Sequence, residues 1–203
     1  ATEGLRGVVA AQSAIGDVNG IEGKLIYQGY DIHDLAEHST FEEVVYLLWN
    51  GRLPTADELA EHEGRLRRNY DAPAEVIDLM KQYPKTSDPM DVLRTAVSSL
   101  DLYDPQGQGT DRESAVGAAV RITGRIGTIA AAWDRIRNGK DVVAPDKNLS
   151  IAENFLYMLR GEKPEADEAR MFDICLILHA DHELNASTFT TRVVAGTLAD
   201  MYG

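Results

Sequence analysis

From Leu178 to Thr188 the chain reads Leu-His-Ala-Asp-His-Glu-Leu-Asn-Ala-Ser-Thr, so two of its five histidines, two acids and an asparagine follow directly on an apolar run. An imidazole in such a place is a satisfied core group, a metal ligand, or a donor aimed at a small anion. The metal reading fails on spacing. Zinc-protease helices use His-Glu-x-x-His and helical di-iron sites use Glu-x-x-His, whereas no histidine here has a glutamate three residues before it. Nucleophilic catalysis lacks its Gly-x-Ser-x-Gly elbow, and the single cysteine, Cys175, lies inside the apolar run as a small buried hydrophobe would. No Gly-x-x-x-x-Gly-Lys phosphate loop occurs.

Two readings stay open on the residues alone. His182 stands where the apolar segment ends, and a new helix is expected from about Ser187, whose free N–H groups favour an anion. Imidazole plus helix N-terminus suits a small dicarboxylate. Alternatively, the histidines belong to a polar network that ties two helices together. His179, one turn earlier, is expected in the core. Asn185 either contacts the ligand or shapes the turn.

These groups need a scaffold, and the sequence describes one. With 203 residues, 44% of them hydrophobic, the chain is long enough for one sizeable core. Met171 to Leu178 has one charged residue, Asp173, and is expected as a helix buried on nearly every face. Glycines recur from Gly4 to Gly29 among short apolar pairs, which predicts strands and turns. Capping boxes are expected at Ser39 with Glu42, Thr55 with Glu58, and Ser150 with Glu153. Pro73 and Asp88-Pro89 open further helices, the second with Met90, Leu93, Val97 and Leu100 on its apolar stripe. After the Tyr103–Thr110 loop a long helix runs from beyond Asp111 to Asn138-Gly139. Its Gly117, Gly124 and Gly127 each weaken it by about 1 kcal/mol relative to alanine, which fits close approach of a neighbour. A final helix is expected from Ser187-Thr188 to Met201. No repeat of solenoid length and no long alternation is present, so the class is mainly α.

The formal charge of −13, from 33 acids and 20 bases, argues against nucleic acid or an anionic membrane as a partner. A lone cysteine suits a reducing compartment, and without a signal peptide or a membrane-length apolar run the expectation is a cytoplasmic protein.

The segment from Leu178 to Thr190 closely resembles the oxaloacetate-binding region of citrate synthases and their 2-methylcitrate synthase relatives. Other matching pieces are Gly4-Leu5-Arg6-Gly7-Val8, Tyr27-Gln28-Gly29-Tyr30-Asp31-Ile32 and Gly51-Arg52-Leu53-Pro54. Pro89 to Ser98, Asn154-Phe155-Leu156-Tyr157 and Gly196 to Tyr202 extend the match to the end of the chain. The resemblance implies a multi-helical, homodimeric enzyme that condenses acetyl-CoA with oxaloacetate to citrate and CoA, with no metal and no redox cofactor. It implies a substrate-binding role for His182, with Asn185 beside it. Among the basic residues Arg65, Arg67 and Arg68, it makes Arg65 a candidate contact for a substrate carboxylate or CoA phosphate. The competing role of that cluster is to offset the helix dipole.

The family's catalytic groups lie in Gly-Pro-x-His-Gly-Gly-Ala-Asn and Gly-His-Arg segments and at a later aspartate, and neither pattern occurs in these 203 residues. The expectation is therefore that residues 1–203 are the N-terminal part of a citrate-synthase-like large domain, without the smaller domain, with no catalytic residue and no condensation activity alone. The alternatives are a 2-methylcitrate synthase using propionyl-CoA, or a non-catalytic helical assembly module.

Overall fold

The computed structural model describes Val9, residues 11–105 and residues 109–202. The matching piece from Gly4 to Val8 and part of the loop before Thr110 lie outside the described residues. A three-stranded antiparallel sheet comes first, formed by β1 (Gly16–Asn19), β2 (Lys24–Tyr27) and β3 (Tyr30–Asp31). In register, Gly16 faces Tyr27, and Tyr27 also faces Tyr30. The two residues between β2 and β3, Gln28 (φ 49°) and Gly29 (φ 89°), are both left-handed, as a tight hairpin matched to strand twist requires.

Nine α-helices follow among the described residues: α1 (Ile32–His38), α2 (Phe41–Asn50), α3 (Ala56–Arg68), α4 (Ala74–Lys81), α5 (Pro89–Ser99), α6 (Arg112–Arg137), α7 (Ile151–Arg160), α8 (Ala166–Leu178) and α9 (Ala186–Ala195). The chain is mainly α. The boxes at Thr55/Glu58 and Ser150/Glu153 form as expected, and Gly51 and Gly161 end their helices in the left-handed conformation.

The first box is displaced by one residue. Thr40 and Glu43 make it, not Ser39 and Glu42, because Glu42 is buried and accepts the backbone N–H of Ile151 at the start of α7 (2.8 Å). On α5 the buried residues are Val92 and Ala96, a stripe continued by Leu100 just past its end, while Met90 is exposed. The helix turns its smaller residues toward α6, and Leu93 and Val97 flank the contact. The close-approach reading holds at Gly124, where an added Cβ would stand 2.8 Å from the Asn69 carbonyl oxygen and 3.0 Å from that of Leu66. At Gly127 the neighbour is Phe155 at an ordinary 3.8 Å, and at Gly117 only Arg121 of the same helix is near.

Of the three apolar clusters among the described residues, two are the larger. One gathers α4, α5 and α6 around Val76, Met80, Ala96, Ile129 and Trp133. The other joins Tyr27, Ile32, Leu35, Val44, Leu47 and Ile177, and so packs the hairpin, α1 and α2 against the end of α8.

The expectation that α8 is buried all round is overturned. Ala169, Asp173 and Ile177 face inward, whereas Met171, Cys175 and Leu178 are exposed. The helix is turned by its polar work. Asp173 accepts the N–H of Phe41 at the start of α2 (3.0 Å), and Arg170 donates to the carbonyls of Ala36, Glu37 and Ser39 around the end of α1. These groups satisfy helix ends that would otherwise be orphaned. Cys175 is thus not the buried hydrophobe expected. The last helix starts at Ala186 behind Asn185 and stops at Ala195, short of Met201. Gly196 caps it and Leu198 has a φ of 65°, outside any helix.

Candidate functional site

The histidine loop runs from the end of α8 to the start of α9. His179 closes α8, its backbone N–H bonded to the Leu176 carbonyl (3.2 Å) and its Nδ1 2.7 Å from the Cys175 carbonyl oxygen. Its ring is exposed, so it is not the core residue expected, because the face of α8 that carries it is covered by no described residue. His182 is also exposed, and the two imidazole centroids stand 6.0 Å apart. The ring of His182 forms no hydrogen bond with a described residue. Asn185 is the N-cap of α9, its Oδ1 accepting the N–H of Thr188 (2.9 Å).

The backbone of this loop is held from the hairpin. The Tyr27 hydroxyl lies 3.1 Å from the carbonyl oxygens of both Ile177 and Asp181, and it accepts the Asp181 N–H at 3.2 Å. Tyr27 is fully buried, and burial pushes its phenol above the ordinary range, so it stays protonated as a donor. One residue past His182, Glu183 has a φ of 61°, uncommon for a side-chain-bearing residue. Its N–H goes to Asp181 Oδ2 (3.0 Å), and its Oε1 accepts the N–H of Val18 on β1 (3.1 Å).

Arg65 lies elsewhere. It lines a recess of about 250 Å³ between α2, α3 and the start of α6, with Tyr46, Trp49, His62 and Arg112. His62 is buried there with its ring edge-on to Tyr46 (5.5 Å) and Trp49 (5.7 Å). Burial first, and the Arg65 charge second, lower its pKa to about 4, so it is neutral near pH 7. The structure therefore brings His182 and Asn185 into one loop and places Arg65 in a different recess. Arg67 pairs with Glu63 (3.0 Å) in the last turn of α3, as a dipole-balancing cation does.

Sequence reasoning missed Tyr27 as part of this region. It was visible only as one letter of the Tyr-Gln-Gly-Tyr hairpin, and its partners lie about 150 residues on.

Fold and site together define a mainly α protein in which a small β-hairpin supports an exposed pair of imidazoles at a helix exit. Residues 4–203 match the family model described as citrate synthase, C-terminal domain. Citrate synthase 2 of Bacillus subtilis is 46% identical over 100% of this chain and 54% of its own length. 2-Methylcitrate synthase 2 of Corynebacterium glutamicum is 42% identical over 98% of this chain and 54% of its own. A solved structure of citrate synthase from Thermoplasma acidophilum, in ternary complex with carboxymethyl coenzyme A and oxaloacetate, superposes with a TM-score of 0.91. It is 29% identical, covering 97% of this chain and 51% of that one. The chain belongs to the citrate synthase family. It spans about half the length of the curated relatives it matches. No helix among the described residues is long and apolar enough to cross a membrane.

Proposed function

We propose that these 203 residues form the N-terminal part of a citrate-synthase large domain and hold oxaloacetate for condensation with acetyl-CoA to citrate and CoA. The observation that carries the reading is His182: an exposed imidazole with no described hydrogen-bond partner, on a loop whose backbone is pinned on both sides. Such a ring offers a directed hydrogen bond to a carboxylate, and Asn185 orders the helix start three residues on. The reaction needs no metal and no redox cofactor, acetyl-CoA being a substrate. The family's catalytic patterns do not occur in the 203 residues, so this stretch binds and positions and does not transfer the protons. Arg65 enters as a second anion contact from its separate recess. An Arg65→Ala variant that leaves every affinity unchanged removes it.

Similarity to a 2-methylcitrate synthase at 42% identity favours one second reading, in which propionyl-CoA is the acyl donor. Comparing turnover of the two thioesters by the natural polypeptide chooses between them. We assign the uncovered faces of α8, with Met171 and Leu178, and of α9, with Val193, to a homodimer, in a cytoplasmic protein.

The test is calorimetric titration of oxaloacetate into the natural polypeptide that carries these residues. A hydrogen bond to a charged group is worth about 1.5–3 kcal/mol, so His182→Ala should weaken binding by about 10- to 150-fold. Unchanged affinity would instead favour a helical assembly module.

A further inference from the structure

We infer that Tyr27, on β2, is the positioning residue of the histidine loop, fixing the backbone that aims His182 and thereby setting oxaloacetate affinity without touching the ligand. The inference rests on the proposed binding role of His182. A phenol has one proton to give and two lone pairs to offer. At Tyr27 the proton and one of the lone pairs are directed to one stretch of chain. Its oxygen stands 3.1 Å from the Ile177 and Asp181 carbonyls and 3.2 Å from the Asp181 N–H. One buried atom therefore bridges the last turn of α8 and the residue immediately before His182. The oxygen is itself fixed, because the ring is fully buried among Ile32, Leu35, Val44, Leu47 and Ile177.

A second tie acts on the other side of the histidine. The left-handed backbone of Glu183 (φ 61°) is disfavoured for a residue with a side chain. It is held by its own N–H on Asp181 Oδ2 and by its carboxylate on the Val18 N–H. Strain of this kind persists only where the surroundings over-determine it. Strand β1 also closely approaches the loop, since a Cβ at Gly16 would stand 2.6 Å from Asp181 Oδ2. His182 thus lies between two residues anchored to one three-stranded sheet more than 150 positions earlier in the chain, and its ring has no hydrogen bond to a described residue to aim it.

The molecule contains its own control. Tyr70 is a second deeply buried tyrosine, whose hydroxyl donates to the Leu149 carbonyl (3.2 Å) between α3 and α7. Tyr27→Phe and Tyr70→Phe each delete one buried hydroxyl, so both lower the thermal midpoint. Only Tyr27→Phe should also weaken oxaloacetate, by about 5- to 30-fold, with Tyr70→Phe within about 2-fold of wild type. In turnover by the natural polypeptide the change should fall on KM for oxaloacetate and leave kcat in place.

In a His182→Ala background, Tyr27→Phe should add no further loss of affinity. Equal effects of the two phenylalanine variants, or an undiminished Tyr27 effect without His182, would overturn the positioning role while leaving the binding role standing. An unchanged affinity in His182→Ala alone would remove the binding role, and this inference with it. Should Tyr27→Phe fail to fold, Glu183→Ala cuts the second tie at a half-buried position. It should weaken oxaloacetate in the same direction, with Glu183→Gln, which keeps the acceptor oxygen, restoring affinity; wild-type affinity in Glu183→Ala would count against the inference.

Discussion

His62 and His182 sit in opposite surroundings. His62 is enclosed by aromatic rings, held neutral by burial, and Arg65 lies close enough to disfavour its charge further. His182 is in the open, and what is buried around it is the backbone's support, above all the Tyr27 hydroxyl. In the α3–α6 region the structure hides the ring; in the hairpin-supported loop it fixes the chain and leaves the ring free to bind. Of the two, His62 is a packing element, and the proposed binding role falls to the ring whose neighbours are anchored while it is not.

The comparison breaks most visibly at Gly124, where α6 meets the carbonyls of Leu66 and Asn69. Gly124→Ala forces those backbones apart and should cost about 1–3 kcal/mol in urea unfolding, with the oxaloacetate affinity of the folded protein unchanged. If affinity falls in step with stability, the two regions are not independent.

A pH series sharpens the contrast further. The folded-state pKa of His62, about 4, lies below its ordinary value of 6.5. The unfolded chain therefore takes up a proton that the folded chain refuses as the pH drops. Stability should be full above pH 6.5 and fall through the window down to about 4. Measured as wild type minus His62→Phe, which keeps an aromatic edge but cannot titrate, the loss should be on the order of 2 kcal/mol after allowance for partial solvation. A flat difference would show that the recess does not exclude the charged ring.

The smallest effect is expected on the exposed face of α8. Met171→Glu should change the stability of the isolated fold by no more than about 0.5 kcal/mol. In sedimentation it should nevertheless lower the dimer fraction, if a second copy covers that face.

What the sequence made legible follows the range of the forces involved. The boxes at Thr55/Glu58 and Ser150/Glu153 are local devices with one possible register, and they formed where expected. At 39–43 two hydroxyl residues precede two glutamates, so both registers satisfy the local rule. Ile151, more than 100 residues away, decides between them by taking Glu42. In α8 the apolar letters pointed to burial on all sides, yet the lone Asp173 turned inward because the start of α2 needed an acceptor there. The loop residues His182 and Asn185 were singled out as candidates by residue type and position, and His182 again by family resemblance. The hydroxyl of Tyr27 left no mark, since nothing near position 27 reveals a partner at 177 or 181.

Glu42 and Asp173 cap helices that are remote in sequence, and this has a consequence for motion. The first N–H of α2 is satisfied only while α8 is docked, and that of α7 only while α2 is in place. Fraying at either of these two starts strands a buried carboxylate as well as an amide, so partial opening is dearer than the loss of one turn. Together with the Tyr27 contacts at the far end of α8, these links make the helix on which the histidine loop is mounted open as part of a larger cooperative unit or stay closed.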